Sequence, residues 1–190
     1  LTSSMLIKRN VAFPNDERDL YRYRNKIGLY YNWISETWNQ SERDRHTFAG
    51  FTPEQVGKPD YFGVDCMVNA DMLNYLALKK NQPPELCEYI NEVIDKKLYP
   101  QCTFYYRSPY VFFAAIAGGV KNNGTQCLEP ALPKIRQELI STARGDGTWS
   151  SNAFNNIMAV RALLFMDYRG DALNRAIDKI IESQMEDGGW

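Results

Sequence analysis

Apolar residues return at every third or fourth position in six stretches after residue 63, which predicts helices with one face turned inward. Residues 64–80 contain neither Gly nor Pro and set Val64, Met67, Val68, Met72 and Tyr75 along related helical rows. Asn81-Gln82-Pro83-Pro84 ends this helix, because a proline keeps the residue before it out of helical geometry. Pro84 suits the first turn of the next helix, residues 85–98, whose stripe is Leu86, Tyr89, Ile90, Val93 and Ile94 and which closes at Pro100. Ser108-Pro109 reads as a cap and first-turn proline for a helix over 109–120, stopped by Lys121-Asn122-Asn123-Gly124. Pro130 opens a helix over 130–142, Ser150-Ser151 precede one over 152–166, and Asp171 caps the last, over 171–184.

The first sixty residues lack this pattern. Met5-Leu6-Ile7 is a short apolar stretch, and Pro14-Asn15-Asp16 reads as a turn. Between residues 21 and 38 aromatics (Tyr21, Tyr23, Tyr30, Tyr31, Trp33, Trp38) interleave irregularly with charges. Residues 39–60, with Gly50, Pro53, Gly57 and Pro59, read as a loop that is long for a compact domain. The expected organisation is one all-α domain over 1–190, with an irregular aromatic-rich lead-in over 1–60 and three helix pairs over 61–190.

The pairs are punctuated by a recurring turn. Gly145-Asp146-Gly147-Thr148-Trp149 and Asp187-Gly188-Gly189-Trp190 each set an Asp-Gly reversal and a tryptophan after a predicted helix. Asp can bond its own backbone there, and Gly tolerates positive φ. Asn25 to Trp33 is a degenerate copy. Thr103-Phe104 aligns with Thr148-Trp149 at a spacing of 45 residues, and Trp149 to Trp190 is 41. A two-helix repeat of this period fits helical arrays and toroids. The simplest packing places 64–80, 109–120 and 152–166 in an inner layer, with 85–98, 130–142 and 171–184 outside.

The C-terminal stretch Gln184-Met185-Glu186-Asp187-Gly188-Gly189-Trp190 has the spacing Gln-x-x-x-Gly-x-Trp. It resembles the QW motif of squalene and oxidosqualene cyclases and of the wider terpenoid-cyclase and protein-prenyltransferase toroids. The resemblance spans about residues 20 to 190, and its motifs are weak apart from these seven residues. It implies an α/α toroid, of which three pairs make about half, and a structural role for the motif in tying outer helices together. A chain that opens on Leu1 and stops on Trp190 in mid-motif is accordingly expected to be a piece of a longer protein.

Composition narrows the picture. A net charge of −1 gives no global field for nucleic acid or an anionic membrane, so no nucleic-acid partner is expected. No apolar run is long enough to span a bilayer, and a cytoplasmic location is expected. Cys66, Cys87, Cys102 and Cys127 form no C-x-x-C pair and read as free, buried thiols. The only histidine, His46, lies in a charged stretch, so neither a metal nor another cofactor is expected.

Candidate chemistry gathers on the inner helices. Asp65 and Asn69 are four apart, hence on one helical face, with Asp71 and Asn74 on adjacent rows. A carboxyl held by an Asn in a cavity wall is a candidate general acid with raised pKa, as protonation-initiated cyclisation requires. The plain alternative makes Asp65 the cap or first-turn acid of its own helix. Tyr106 and Tyr110, in an aromatic cluster around the second inner helix, are candidates to line the cavity, since ring faces attract cations. Packing between layers is their plain alternative. Asn152 and Asn156 share a face at the start of the third inner helix, with Arg161 further along. They are candidates for a polar ligand head, or for capping and solvating the helix mouth.

The resemblance implies binding or cyclisation of an isoprenoid in an aromatic-lined cavity. Asp-x-Asp-Asp and Asp-Asp-x-x-Asp, the motifs of class II and class I terpene cyclases, are both absent. The rival expectation is a non-catalytic helical-repeat domain that binds protein or peptide. A polysaccharide-active barrel is disfavoured because the tryptophans sit at turns. Half a toroid also leaves its last pair without a neighbour. Ile157, Val160, Leu164, Ile177 and Ile181 therefore predict an association edge, for a second copy or for further chain.

Overall fold

The structure, a computed structural model, describes residues 20–21, 23–31, 64–103 and 108–189. The turn at Pro14, Trp33, Trp38, the loop over 39–60, Tyr106 with its neighbours 104–107, and Trp190 lie outside the described residues. Within them the chain is all-α: α1 Cys66–Leu78, α2 Pro84–Asp95, α3 Tyr99–Cys102, α4 Pro109–Asn123, α5 Leu132–Thr142, α6 Ala153–Phe165 and α7 Asp171–Glu182. A 3-10 segment, Gln126–Ala131, leads into α5, and one isolated antiparallel bridge joins Arg24 to Tyr30. Each predicted helix is present with its ends moved by a few residues. The short α3, with Pro100 in its first turn, was not expected.

The starts follow their caps. Asp65 caps α1, Asn152 caps α6, and Pro84 and Pro109 occupy the first turns of α2 and α4, where a missing N–H costs nothing. Three helices end on a left-handed residue that is not glycine: Lys80 (φ 60°), Lys97 (φ 52°) and Asp167 (φ 53°). In each case the following amide donates back into the last turn, Asn81 to Leu76, Leu98 to Val93 and Tyr168 to Leu163, in the reverse-turn pattern that closes helices.

The helix α4 packs between α1 and α6, α2 lies on α1 and on the 3-10 segment, and α7 lies on α6. The approach of α1 to α4 is close enough that a Cβ at Gly119 would overlap the Asn74 carboxamide. That carboxamide donates to the Ala115 carbonyl at 3.0 Å and accepts from the Thr125 hydroxyl at 2.9 Å, so it tethers both ends of the α4 exit. The core is one continuous cluster, from Tyr30, Leu73 and Leu76 through Phe112, Phe113 and Ile116 to Leu139, Trp149 and Leu163.

The four cysteines are not free thiols. Cys66 pairs with Cys102, tying the first residue of α1 to the last of α3, and Cys87 pairs with Cys127, tying α2 to the 3-10 segment. The expectation failed because sequence spacing does not show that helix packing brings Cα atoms 36 and 40 residues apart to 5.4 and 5.8 Å. No helix among the described residues is long and apolar enough to cross a membrane.

Candidate functional site

Three turns in the described chain are built from the same hydrogen bonds. In the first, the Asn25 amide donates to the Leu29 carbonyl at 2.8 Å and the Gly28 amide to the Asn25 carbonyl at 3.0 Å. In the second, Arg144 donates to Thr148 at 2.8 Å and Gly147 to Arg144 at 2.9 Å. In the third, Met185 donates to Gly189 at 2.8 Å and Gly188 to Met185 at 2.9 Å. The glycines take φ of 87°, 83° and 84°, a region where a side chain is strained. The first two turns deliver an aromatic residue at the next position, Tyr30 and Trp149, and in the sequence Trp190 follows the third.

The first two turns are gripped by an asparagine four residues past a helix cap. Asn69, four past the cap Asp65, accepts from the Tyr30 amide at 2.8 Å and donates to the Tyr30 and Asp65 carbonyls, both at 2.9 Å. Asn156, four past the cap Asn152, accepts from the Trp149 and Ser150 amides, both at 3.0 Å, and donates to the Ser150 carbonyl at 2.9 Å. A buried carboxamide suits this task, because it offers an acceptor and donors to a backbone segment with no other partner.

The residues singled out from the sequence fall into this framework. Asp65 is 1% exposed and its Oδ1 accepts from the Met67 and Val68 amides at 2.7 and 3.2 Å. Both donors belong to the first turn of its own helix, so the side chain acts as the N-cap of α1. Asn69 and Asn156 are occupied by backbone, and Asn152 caps α6 by accepting from the Phe154 amide at 2.8 Å. Tyr110 is half-buried, with its ring centroid 6.4 Å from Trp149 and its hydroxyl donating to the Trp149 carbonyl at 3.5 Å. Asn152 therefore lies at the Asn156 clamp and Tyr110 against the aromatic residue it holds, while Asp65 belongs to the other clamp. The polar residues thus divide between two structural clamps rather than one shared ligand contact.

Another carboxyl has the property assigned to Asp65. Burial pushes Asp71 up to about 6 from an ordinary value near 3.8, with Asp65 adding to the rise. Asp71 lies one helical row from a stripe of partly exposed positions that also takes in the exposed Arg161. Val68 and Met72 on α1, Ala115 and Gly118 on α4, and Met158, Arg161 and Phe165 on α6 each recur at three- or four-residue spacing. Phe165 lies over Gly118, where an added Cβ would come within 2.9 Å of its ring, and the Arg161 guanidinium stands 5.2 Å from the Phe165 centroid. Phe154, at the head of the α6 stripe, is 46% exposed. The sequence does carry this signal: 72, 115 and 158 recur at 43 residues. The aromatic residues at the turns, Phe104, Trp149 and Trp190, are spaced at 45 and 41 instead. Among the described residues no group of three His, Cys, Asp or Glu could hold a metal ion. No family model matches the chain, and no curated protein or solved structure is significantly similar to it.

Proposed function

We propose that the chain is a non-catalytic helical-hairpin scaffold, part of an α/α toroid of the terpenoid-cyclase type, that binds an apolar, isoprenoid-like ligand. The inner layer is α1, α4 and α6, and the ligand lies along the stripe Met72, Ala115, Gly118, Met158 and Phe165. The carrying observation is that Asp65, Asn69, Asn152 and Asn156 serve helix caps and turn clamps, which leaves an apolar stripe with small residues at its centre. Apolar and aromatic walls with few polar groups are how proteins bind small apolar ligands. The two disulfides favour an oxidising compartment over the cytoplasm expected from the sequence, since such bonds are rare where thiols are kept reduced.

Titration of the chain with geranylgeraniol, followed by calorimetry and product analysis, tests this. The expected result is saturable binding, weakened about tenfold by Phe154→Asp, with the alcohol recovered unchanged; about 1.4 kcal/mol corresponds to that factor. Absence of binding, or binding indifferent to Phe154→Asp, overturns it. One observation favours a second reading, protonation-initiated cyclisation: Asp71 keeps a proton up to about pH 6 beside the stripe. A cyclised product that disappears in Asp71→Asn would establish that reading instead.

A further inference from the structure

The helices that carry the apolar stripe hold two cations and almost no acid. Neither α4 nor α6 contains an Asp or Glu, and α1 contains only Asp71. Lys121, at the end of α4, is engaged by Asp167. Arg161 is the single charged residue of α6 and stands exposed on the stripe between Met158 and Phe165. Other arginines have polar partners: Arg24 pairs with Glu85 at 3.0 Å, and Arg136 donates to the Met166 carbonyl at 3.1 Å. Arg161 has neither an ion pair nor a hydrogen bond among the described residues.

Its surroundings hold the guanidinium without neutralising it. The Phe165 ring is seated over Gly118, where a side chain would displace it, and the guanidinium stands over that ring at 5.2 Å from its centroid. The ring face attracts the cation and leaves its edge donors for another partner. Those donors form a planar fork, which matches a carboxylate through two parallel hydrogen bonds.

We propose that the ligand of the stripe is a long-chain carboxylic acid, bound as its anion with the carboxylate on Arg161 and the chain crossing α4 towards Met72. This rests on the reading of the stripe as an apolar ligand site and names the head group that goes with it. A carboxylate carries one charge, which one guanidinium balances. A phosphate monoester carries close to two near pH 7 and would keep an excess on an apolar wall. From α6 across α4 to α1 is two interhelical steps, about 16–20 Å in all. That reach suits one extended chain.

Three ligands that share a tail test the head group: geranylgeranoate, geranylgeraniol and geranylgeranyl phosphate, each titrated calorimetrically near pH 8, where the carboxyl is ionised. The acid is expected to bind about tenfold more tightly than the alcohol, with an advantage that shrinks as salt is raised. Arg161→Gln should erase the difference between acid and alcohol. Arg161→Lys should keep part of it, because an ammonium retains the charge without the fork. Arg161 is exposed, so circular dichroism of both variants should match the unaltered chain. Equal affinity of the unaltered chain for acid and alcohol overturns the proposal and leaves the apolar stripe standing. An advantage that survives Arg161→Gln does the same. Tighter binding of the phosphate overturns the choice of carboxylate. If neither the alcohol nor the acid binds, the stripe reading fails and this one falls with it.

Discussion

The turn at residues 144–149 and the turn at 185–189 share hydrogen bonds, glycine position and φ, and differ in everything around them. Around Gly147 a Cβ would meet the Ala176 backbone nitrogen at 2.7 Å, whereas at Gly188 the nearest contact is the tip of Gln184 at 4.0 Å. Trp149 is 5% exposed and its indole donates to the Leu139 carbonyl at 2.8 Å, while the residues around Gly188 face solvent. Each Asp accepts from the amide two residues on, Asp146 from Thr148 and Asp187 from Gly189. At 144–149 the Thr148 hydroxyl donates as well, and the two bonds hold Asp146 below the usual carboxylate range. The turn is thus a local product of Asp, Gly and backbone geometry. Its contribution to stability comes from what packs on it.

The largest test of that difference is Trp149→Ala, which removes a buried ring and its indole hydrogen bond. A loss of about 3–5 kcal/mol in urea denaturation is expected, as for other buried aromatics. Asn156→Ala comes next. It orphans the Trp149 and Ser150 amides and the Ser150 carbonyl, and about 2–3 kcal/mol should be lost. Alanine at the two glycines compares the turns directly. Gly147→Ala combines a positive φ with backbone overlap and should cost about 2–3 kcal/mol, against about 1 kcal/mol for Gly188→Ala. Equal costs would break the comparison.

A further effect has the opposite sign and serves as a control remote from both turns. Because the folded Asp71 carboxyl titrates near 6 rather than 3.8, the folded state holds its proton more tightly than the unfolded chain. Stability is therefore lost as pH rises from about 4 to about 6. Asp71→Asn should raise stability at pH 7 by about 1–2 kcal/mol and leave it unchanged below about pH 4, as thermal melts across that range would record. The difference between the two turns should survive it.

How much of this was legible depends on distance along the chain. The helices follow from apolar periodicity and from Pro84, Pro109 and Asp171 at their starts, all local signals. Asn69 and Asn156 are also visible, four residues past Asp65 and Asn152. What they hold was not visible, since Tyr30 lies 39 residues before Asn69 and no local pattern announces which backbone will arrive. The cysteines failed for the same reason. A carboxamide that clamps backbone and one that binds a ligand look alike in sequence. Only the hydrogen-bond partners tell them apart.

Three helix exits in left-handed geometry, at Lys80, Lys97 and Asp167, bear on how far this protein can be hardened against heat. A side chain in that region costs on the order of 1 kcal/mol relative to glycine. Two of the three carry a charge across to another helix, Lys97 to Glu138 at 2.7 Å and Asp167 to Lys121. Such surface pairs offset little of that cost. Lys80 has no ion pair among the described residues, so it is the exit where glycine brings an unopposed gain. Thermostable descendants of this fold would be expected to change there first, and at Lys97 and Asp167 only once the pairs between helices had lost their use.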